Sequence, residues 1–469
     1  MGNSSRTASI HILDDDSFLH VFYLCRLFLA TSDGISDWNY NERWWYPLAH
    51  VCQRWRNIIL GSATYLGVSL FCTYGTPVAD MLTHSPPLPL VVGYFSKFHQ
   101  LTTEDEEGII LALKQRDRVR RVRLSNSVTI MQKLLVAMDE EYPILEYLYI
   151  MLTLSDNSSI LTIPETLQAP HLRQLTLRGF ALPMGSGLLT SAVGLVTLNL
   201  VMIHPSTYFH PNTLLRWISL MPHLEVLDIH FKFSIPKRDV ERQLTHTPII
   251  TPITLPNLHQ FHFHGVSAYV EALVHRIIAP RLKDVSINFF NQLTFFVPCL
   301  LQSISAAENL RFSNAILTFS GNFVGLGTYP HGADVCHLDI DIKCCHLDWQ
   351  VSFVTQFSNS LGLVFSAVEH LALVHEAHSE SSVEHGQVDR TEWRKLLMPF
   401  SNVKTLRIDD GLVKDLSRCL RLEDGELLFE LLPELQELTY IGSGNTGDTF
   451  TSFIDARRNA GRPVTLVRQ

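Results

Sequence analysis

The chain lacks any apolar run long enough for a bilayer. Its richest early stretch, Phe18 to Ala30, is short and interrupted by Arg26, whereas a spanning helix needs about 20 predominantly apolar residues. The opening MGNSSRTAS has no apolar centre of the signal-peptide kind, and Arg6 stands where a myristoylated Gly2 would need Ser or Thr downstream. Positive charge is in deficit. With 37 Lys and Arg against 46 Asp and Glu the net charge is −9, which repels phosphate backbones and anionic lipid, so the expected partners are proteins, with no nucleic acid and no membrane. Eight cysteines in 469 residues are too sparse for a disulfide scaffold and are expected to be reduced thiols, in the cytoplasm or the nucleus. Missing too are the GxSxG elbow, HExxH and the P-loop, so the expectation is a protein that is not an enzyme and holds no cofactor and no metal.

Apolar residues are plentiful, at 46%, and a chain this long exceeds one compact core, which leaves several domains or a repeat array. After a polar start expected to be disordered over residues 1–9, LDDDSFLHVFYLCR predicts a helix. Asp14 to Asp16 supply its cap and acidic first turn, and Phe18, Val21, Phe22 and Cys25 gather on one face. A second helix is predicted from about Pro47, with Leu48, Val51, Cys52, Trp55, Ile58 and Ile59 on one side and a stop at Gly61. Residues 10–73 thus form a small helical domain. Below roughly 70–80 residues a lone core supplies only about 3–5 kcal/mol, so spare apolar surface there points to a partner or to the rest of the chain.

LDDDSFLHVF resembles the opening motif of the F-box and VCQRWRNII its closing segment, with Leu13, Leu19, Val21, Phe22, Val51, Cys52, Arg54 and Trp55 matching residue by residue. Asp14 stands where that family usually has proline, and the stretch between the halves, LFLATSDGISDWNYNERWWYP, is longer than usual. More closely, HVCQRWRNIILGSATYLGVSLFCTYGTPVADMLTHSPPLPLV resembles the mushroom-type fungal F-box proteins, and the likeness extends over nearly the whole chain. The resemblance implies a substrate receptor of an SCF-type ubiquitin ligase, docking a Skp-type adaptor and through it a cullin. The residues expected to bind the adaptor are Leu13, Phe18, Leu19, Val21, Phe22, Leu48, Val51, Cys52 and Trp55. The alternative is a ligase-independent scaffold in which the F-box-like segment only caps the first repeat.

Residues 74–100, with Pro77, Pro86, Pro87 and Pro89, read as a stiff extended connector. TTEDEEGIILALKQR then predicts a helix with a capping box from Thr103 to Glu106, an acidic first turn and a basic last turn. From there one phrase returns: YPILEYLYI, APHLRQLTL, VGLVTLNL, MPHLEVLDI, LPNLHQFHF, APRLKDVSI, AVEHLALV, SNVKTLRI and LPELQELTY. Where the spacing is clear, successive copies lie roughly 23–35 residues apart, within or just beyond the leucine-rich-repeat range. Several follow a helical stretch ending at proline, as in NTLLRWISLMP, YVEALVHRIIAP and GELLFELLP. The fold class expected is α/β, with a small all-α F-box followed over residues 101–469 by an irregular leucine-rich-repeat-like right-handed solenoid with a parallel sheet. Period-two alternation turns Tyr147, Tyr149, Gln174, Thr176, Arg178, Asp228, His230, His262, His264, Asp284, Ser286, Arg407, Asp409, Glu437 and Thr439 to the concave face. Their mixed charge suits recognition of a protein target.

Four other motifs are weighed against plainer readings. GSGNTG, with Gly442, Gly444 and Gly447, has the strand-turn-helix setting of a nucleotide site, but no ribose-binding acid follows it, so a nucleotide-binding enzyme is the weaker alternative and a glycine-rich turn the preferred reading. Cys336, His337, Cys344, Cys345 and His346 lack zinc-knuckle spacing, and His262 with His264 lacks a completing ligand. The basic run KQRDRVRRVR fits a nuclear address or an anion site, and the preferred reading is the helix end feeding a strand with Val119, Val122 and Leu124 inward.

Overall fold

Alternation of apolar and polar residues makes the strands, and the alternate apolar residues make the core. A computed structural model describes residues 13–30, 43–95, 101–153, 160–204, 208–232, 252–290, 297–307, 310, 312–330, 337–376, 388–421, 423, 430–441 and 449–468. The chain is mixed α/β and divides into two units, Met1–Val193 and Gly194–Gln469.

The first unit begins with helices Asp15–Ala30, Trp45–Ala49, Gln53–Gly61 and Ala63–Leu66. Asp14 starts the first by accepting the Ser17 N–H at 2.7 Å. The helix expected from Pro47 is two helices. Cys52 turns extended between them, and Arg56 takes up the Ala49 carbonyl at the break at 3.1 Å. Next come β1 (Leu70–Cys72), β2 (Leu90–Tyr94), β3 (Val119–Asn126), β4 (Tyr147–Leu152), β5 (Leu161–Thr162), β6 (Gln174–Arg178) and β7 (Phe180–Ala181). β1, β2, β3, β4 and β6 pair in that order, all parallel, and β5 pairs with β7. Val119, Val122 and Leu124 point inward as expected.

Residues 74–100 are not a simple extended connector. They contain helix Val78–His84 and β2. The prolines bound these elements instead of preventing them: Pro77 precedes the helix, and the Pro89 carbonyl accepts the Leu70 N–H at 2.8 Å. The capping box of helix Thr103–Leu113 sits one residue earlier than expected. Thr102 Oγ1 accepts the Asp105 N–H at 3.1 Å, and the Asp105 carboxylate accepts the Thr102 N–H at 3.2 Å. The helix stops before Lys114, so its last turn carries no basic residue.

The second unit contains β8 (Thr197–Ile203), β9 (Val226–Phe231), β10 (Ile253–Thr254), β11 (Gln260–Gly265), β12 (Ile277–Ile278), β13 (Asp284–Phe289), β14 (Asn314–Ser320), β15 (Phe323–Tyr329), β16 (Leu338–Lys343), β17 (His370–Glu376), β18 (Thr405–Ile408), β19 (Glu437–Tyr440) and β20 (Thr465–Arg468). Its main sheet runs β8-β9-β11-β13-β16-β15-β14-β17-β18-β19-β20. β15 alone is antiparallel to its neighbours. Each of the nine returning phrases ends in a strand. Helix Pro211–Ile218 lies as expected, whereas Ser267–Val274 stops short because Ile277 and Ile278 pair as β12. Most of GELLFELLP lies outside the described residues.

Helices cover the inward face. Tyr269 packs edge-on to Phe231 at 4.9 Å and stacks near Phe263 at 5.8 Å, its hydroxyl donating to the Phe209 carbonyl at 3.2 Å. Trp393 lies beneath Phe319 at 5.4 Å. The antiparallel hairpin β14–β15 was not anticipated, and a buried amide holds it. Gln350 Nε2 donates to the carbonyls of Ser320 and Cys344, each at 2.7 Å, fixing the end of β14 to the end of β16. Gln350→Leu keeps the bulk but orphans both carbonyls, at a cost of about 1–3 kcal/mol each; the urea midpoint is expected to fall accordingly.

Candidate functional site

The amino-terminal helices sort the expected adaptor-binding residues into two groups. Phe18 and Phe22, one helical turn apart, are 2% and 1% exposed. Their rings lie 5.4 and 5.2 Å from that of Trp55, and Arg54 stacks over Phe18 at 4.9 Å while pairing with Asp15 at 2.7 Å. Phe18 and Phe22 are therefore internal, not partner-facing as expected. The reason is the four-residue spacing, which presents both rings to one partner, Trp55. Leu19, Leu48, Cys52 and Trp55 are half-buried, and Leu13 is exposed. Val21 and Val51 are 44% and 59% exposed. Leu24 and Phe28, at 52% and 81%, continue the Val21 face at helical spacing. Sequence reading passed over Leu24 and Phe28 because it aligned the motif halves instead of completing the second apolar stripe of one helix.

In the first unit, register places Arg121 beside Tyr147 and Gln174, and Arg123 beside Tyr149 and Thr176. Arg178 follows beside Met151. In the second unit two cross-strand ladders form on the outward face. One runs Asp228, His262, Ser286, Asp339, and the other His230, His264, Asn288, Asp341. Six expected residues, Asp228, His230, His262, His264, Asp284 and Ser286, are thus brought together. Asp339 and Asp341 complete the ladders and were missed, although LDIDIK alternates apolar and acidic residues at the period of two that would have found them. Gly327 and Gly325 follow opposite these aspartates on β15. A Cβ at Gly325 would come within 2.7 Å of Asp341 Oδ1, so glycine makes room for the carboxylate.

Polar contacts knit the ladders. His230 Nε2 lies 2.9 Å from Asp228 Oδ1. His262 Nε2 lies 3.5 Å from Asp284 Oδ2, which also accepts from Gln260 at 3.3 Å. Ser286 donates to Asp339 at 3.5 Å and Asn288 to Asp341 at 3.4 Å. A notch of about 520 Å³ at the Asp341 end is bounded by Asn288, Asn322, Phe323, Lys343, Cys344 and Cys345.

The hydrogen bond to Asp284 raises the pKa of His262 above its ordinary value, against the opposing effect of burial. Burial, then the charges of Lys343 and His230, press His264 down to about 4. Burial raises Asp339, and burial with repulsion from Asp339 and Glu376 raises Asp341 to about 6. Asp341 is thus the carboxylate of this face brought closest to neutrality. His262 and Asp284 form a His–carboxylate pair, with Ser286 in register beside His262. Burial likewise pushes the thiols of Cys72 and Cys299 up to about 12 and about 11, where they stay protonated.

Other expected residues lie apart from the ladders. Arg407 is exposed on β18, whose neighbours are β17 and β19. Asp409 is past the end of β18 and is not a strand-face residue. It sits at the N-cap of helix Asp410–Leu420, and its carboxylate accepts the His375 N–H at 3.3 Å. Thr439 is buried and donates to Glu437 at 3.0 Å. Among the described residues no three His, Cys, Asp or Glu side chains converge as metal ligands would; Cys336 and the glycines of GSGNTG lie outside the described residues. Compared with models of known protein families and with curated proteins, the chain matches none.

The two ionisations have opposite linkage. The folded pKa of His262 is raised, so the Asp284 contact contributes stability fully below the unfolded value of about 6.5 and loses it as pH rises through the folded value. The folded pKa of Asp341 is also raised, but its anion is the disfavoured form, so its cost is absent below the unfolded value and complete above about 6. Asp341→Asn is expected to stabilise the protein at pH 7, with the gain fading as pH falls through 6 towards 4; denaturant unfolding across that range measures it. An NMR titration is expected to place His262 above 6.5 and His264 near 4, with Asp284→Asn lowering only the former.

Proposed function

We propose that this chain is the substrate receptor of an SCF-type ubiquitin ligase. Its amino-terminal helices dock a Skp-type adaptor, and through it a cullin, while the outward face of a leucine-rich-repeat-like solenoid holds a protein target. One observation carries the reading. The helices have an internal cluster of Phe18, Phe22 and Trp55, yet they also keep Val21, Leu24, Phe28 and Val51 exposed. Exposed aliphatic and aromatic residues on a small helical segment have the character of a docking surface. The likeness of LDDDSFLHVF and VCQRWRNII to the F-box halves supports the same assignment.

The capped-scaffold reading has an observation of its own. Trp45 Nε1 donates to the Ser69 carbonyl at 3.3 Å and Arg43 lies over Phe71 at 5.5 Å, so the helices cover the β1 end of the sheet. Capping and docking use different residues, and one experiment separates them. Val21→Asp with Val51→Asp, both at exposed positions, is expected to abolish capture of a purified fungal Skp-type adaptor while circular dichroism and the melting temperature stay unchanged. Phe22→Ala is expected instead to lower stability by about 3–5 kcal/mol, as for a buried aromatic. Failure of the unsubstituted chain to bind the adaptor would leave the scaffold as the function and remove the ligase role.

A further inference from the structure

Between the amino-terminal helices and the first strand lies a cavity that adaptor docking does not use. It measures about 560 Å³ and opens to solvent, within the roughly 300–1,000 Å³ range of small-molecule sites. Its walls come from helices Trp45–Ala49, Gln53–Gly61 and Val78–His84 and from β1, the first strand of the sheet, so all of it belongs to the first unit. Trp45, Phe71, Met81 and Leu88 give it an apolar lining, and the rings of Trp45 and Tyr46 lie 4.3 Å apart. Two guanidiniums meet this lining from different elements. Arg43, just before helix Trp45–Ala49, lies over the Phe71 ring at 5.5 Å. Its Nε is buried and has no hydrogen-bond partner among the described residues. Arg56 gives its Nε to the Ala49 carbonyl at 3.1 Å, which anchors the side chain behind its terminal nitrogens.

On a chain of net charge −9, this cavity reverses the sign. Arg43, Arg56 and His50 line it, and none of its described lining residues is Asp or Glu. Asp105 lines a neighbouring recess instead, where its carboxylate accepts the N–H groups of Gly75 and Thr102 at 2.9 and 3.2 Å. A half-buried guanidinium has given up part of its hydration, and an anion that brings both charge and acceptors offsets that loss. Planar guanidinium forks match the paired oxygens of carboxylate and phosphate, and stacking on an aromatic ring pre-orients them. The apolar lining adds a second requirement. A bare inorganic ion would leave Trp45, Phe71 and Met81 facing water, whereas an ion attached to an aromatic body would cover them.

We propose that this cavity binds a small amphiphilic anion, with an aromatic body against Trp45 and Phe71 and a carboxylate or phosphate head held by Arg43 and Arg56. The site stands independently of the ligase reading, because neither guanidinium belongs to the exposed docking surface of Val21, Leu24, Phe28 and Val51.

The test uses the purified full-length chain without adaptor and four probes: naphthoate, naphthyl phosphate, the neutral naphthylmethanol and inorganic phosphate. A ligand that binds only the folded state raises the melting temperature. At equal concentration one or both naphthyl anions are expected to raise it, and the alcohol and the bare ion are not; the anion that raises it more names the head group. Calorimetric titration with that anion is then expected to show affinity about tenfold weaker in Arg43→Gln and in Arg56→Gln, the loss of one charge-assisted contact. The two arginines sit on different elements, so one variant serves where the other fails to fold. Ser85→Glu, which adds a negative charge to the lining and keeps both arginines, is expected to weaken binding as well. Arg216→Gln removes the same charge from an exposed position on helix Pro211–Ile218 and is expected to change nothing. Equal effects of the neutral alcohol or of inorganic phosphate, equal weakening by Arg216→Gln, or no binding of either naphthyl anion would each overturn the proposal.

Discussion

Side-by-side strand pairing, parallel but for β15, is the constraint on which the structure depends. A strand leaves every N–H and C=O to be met by its neighbours, and with period two it buries one side-chain row and displays the other. Once Leu227 and Ile229 are committed inward, Asp228 and His230 have no choice of face, and the next strand repeats the arrangement with Phe261, Phe263, His262 and His264. Ladders of like position follow automatically. The chemistry of the outward face is thus a by-product of core placement, tuned only by which polar residue fills each outward slot.

Those slots are filled differently in the two units. The first displays Arg121, Arg123 and Arg178 among tyrosines, and the second displays aspartates and histidines. Partial burial makes the second set responsive to protons, because half-desolvated carboxylates close to one another resist ionising together.

The repeating strands were legible in the sequence because leucine spacing reports the buried row directly, and all nine phrases ended in strands. The residues Asp228, His230, His262, His264 and Asp284 were placed together by the same alternation. What escaped had physical reasons. Phe18 and Phe22 share a helical stripe with the exposed Val21, and only the position of Trp55, far along the chain, decides that they are internal. The prolines of residues 74–100 hid a strand because proline at an element's boundary and proline inside it read alike. The pair Asp339 and Asp341 follows no leucine phrase, and its neighbour in the sheet, β15, arrives from the opposite direction. Asp409 fitted the alternation by count but lies one residue past the end of β18, directly before helix Asp410–Leu420, where the face alternation no longer holds.

That reversed strand has a bearing on how the molecule is made. β9, β11 and β13 can each join the growing sheet as soon as they leave the ribosome, since each pairs with the long strand just before it. β13 then waits. The strand that covers its far edge is β16, and the pairing of Ser286 with Asp339 spans 53 residues of chain. Until Lys343 has been synthesised, the nascent chain presents an open edge rich in Val, Ile and Phe, a surface prone to pairing with other chains. Elongation across residues 290–343 is therefore one interval in which a chaperone would have an open edge to protect.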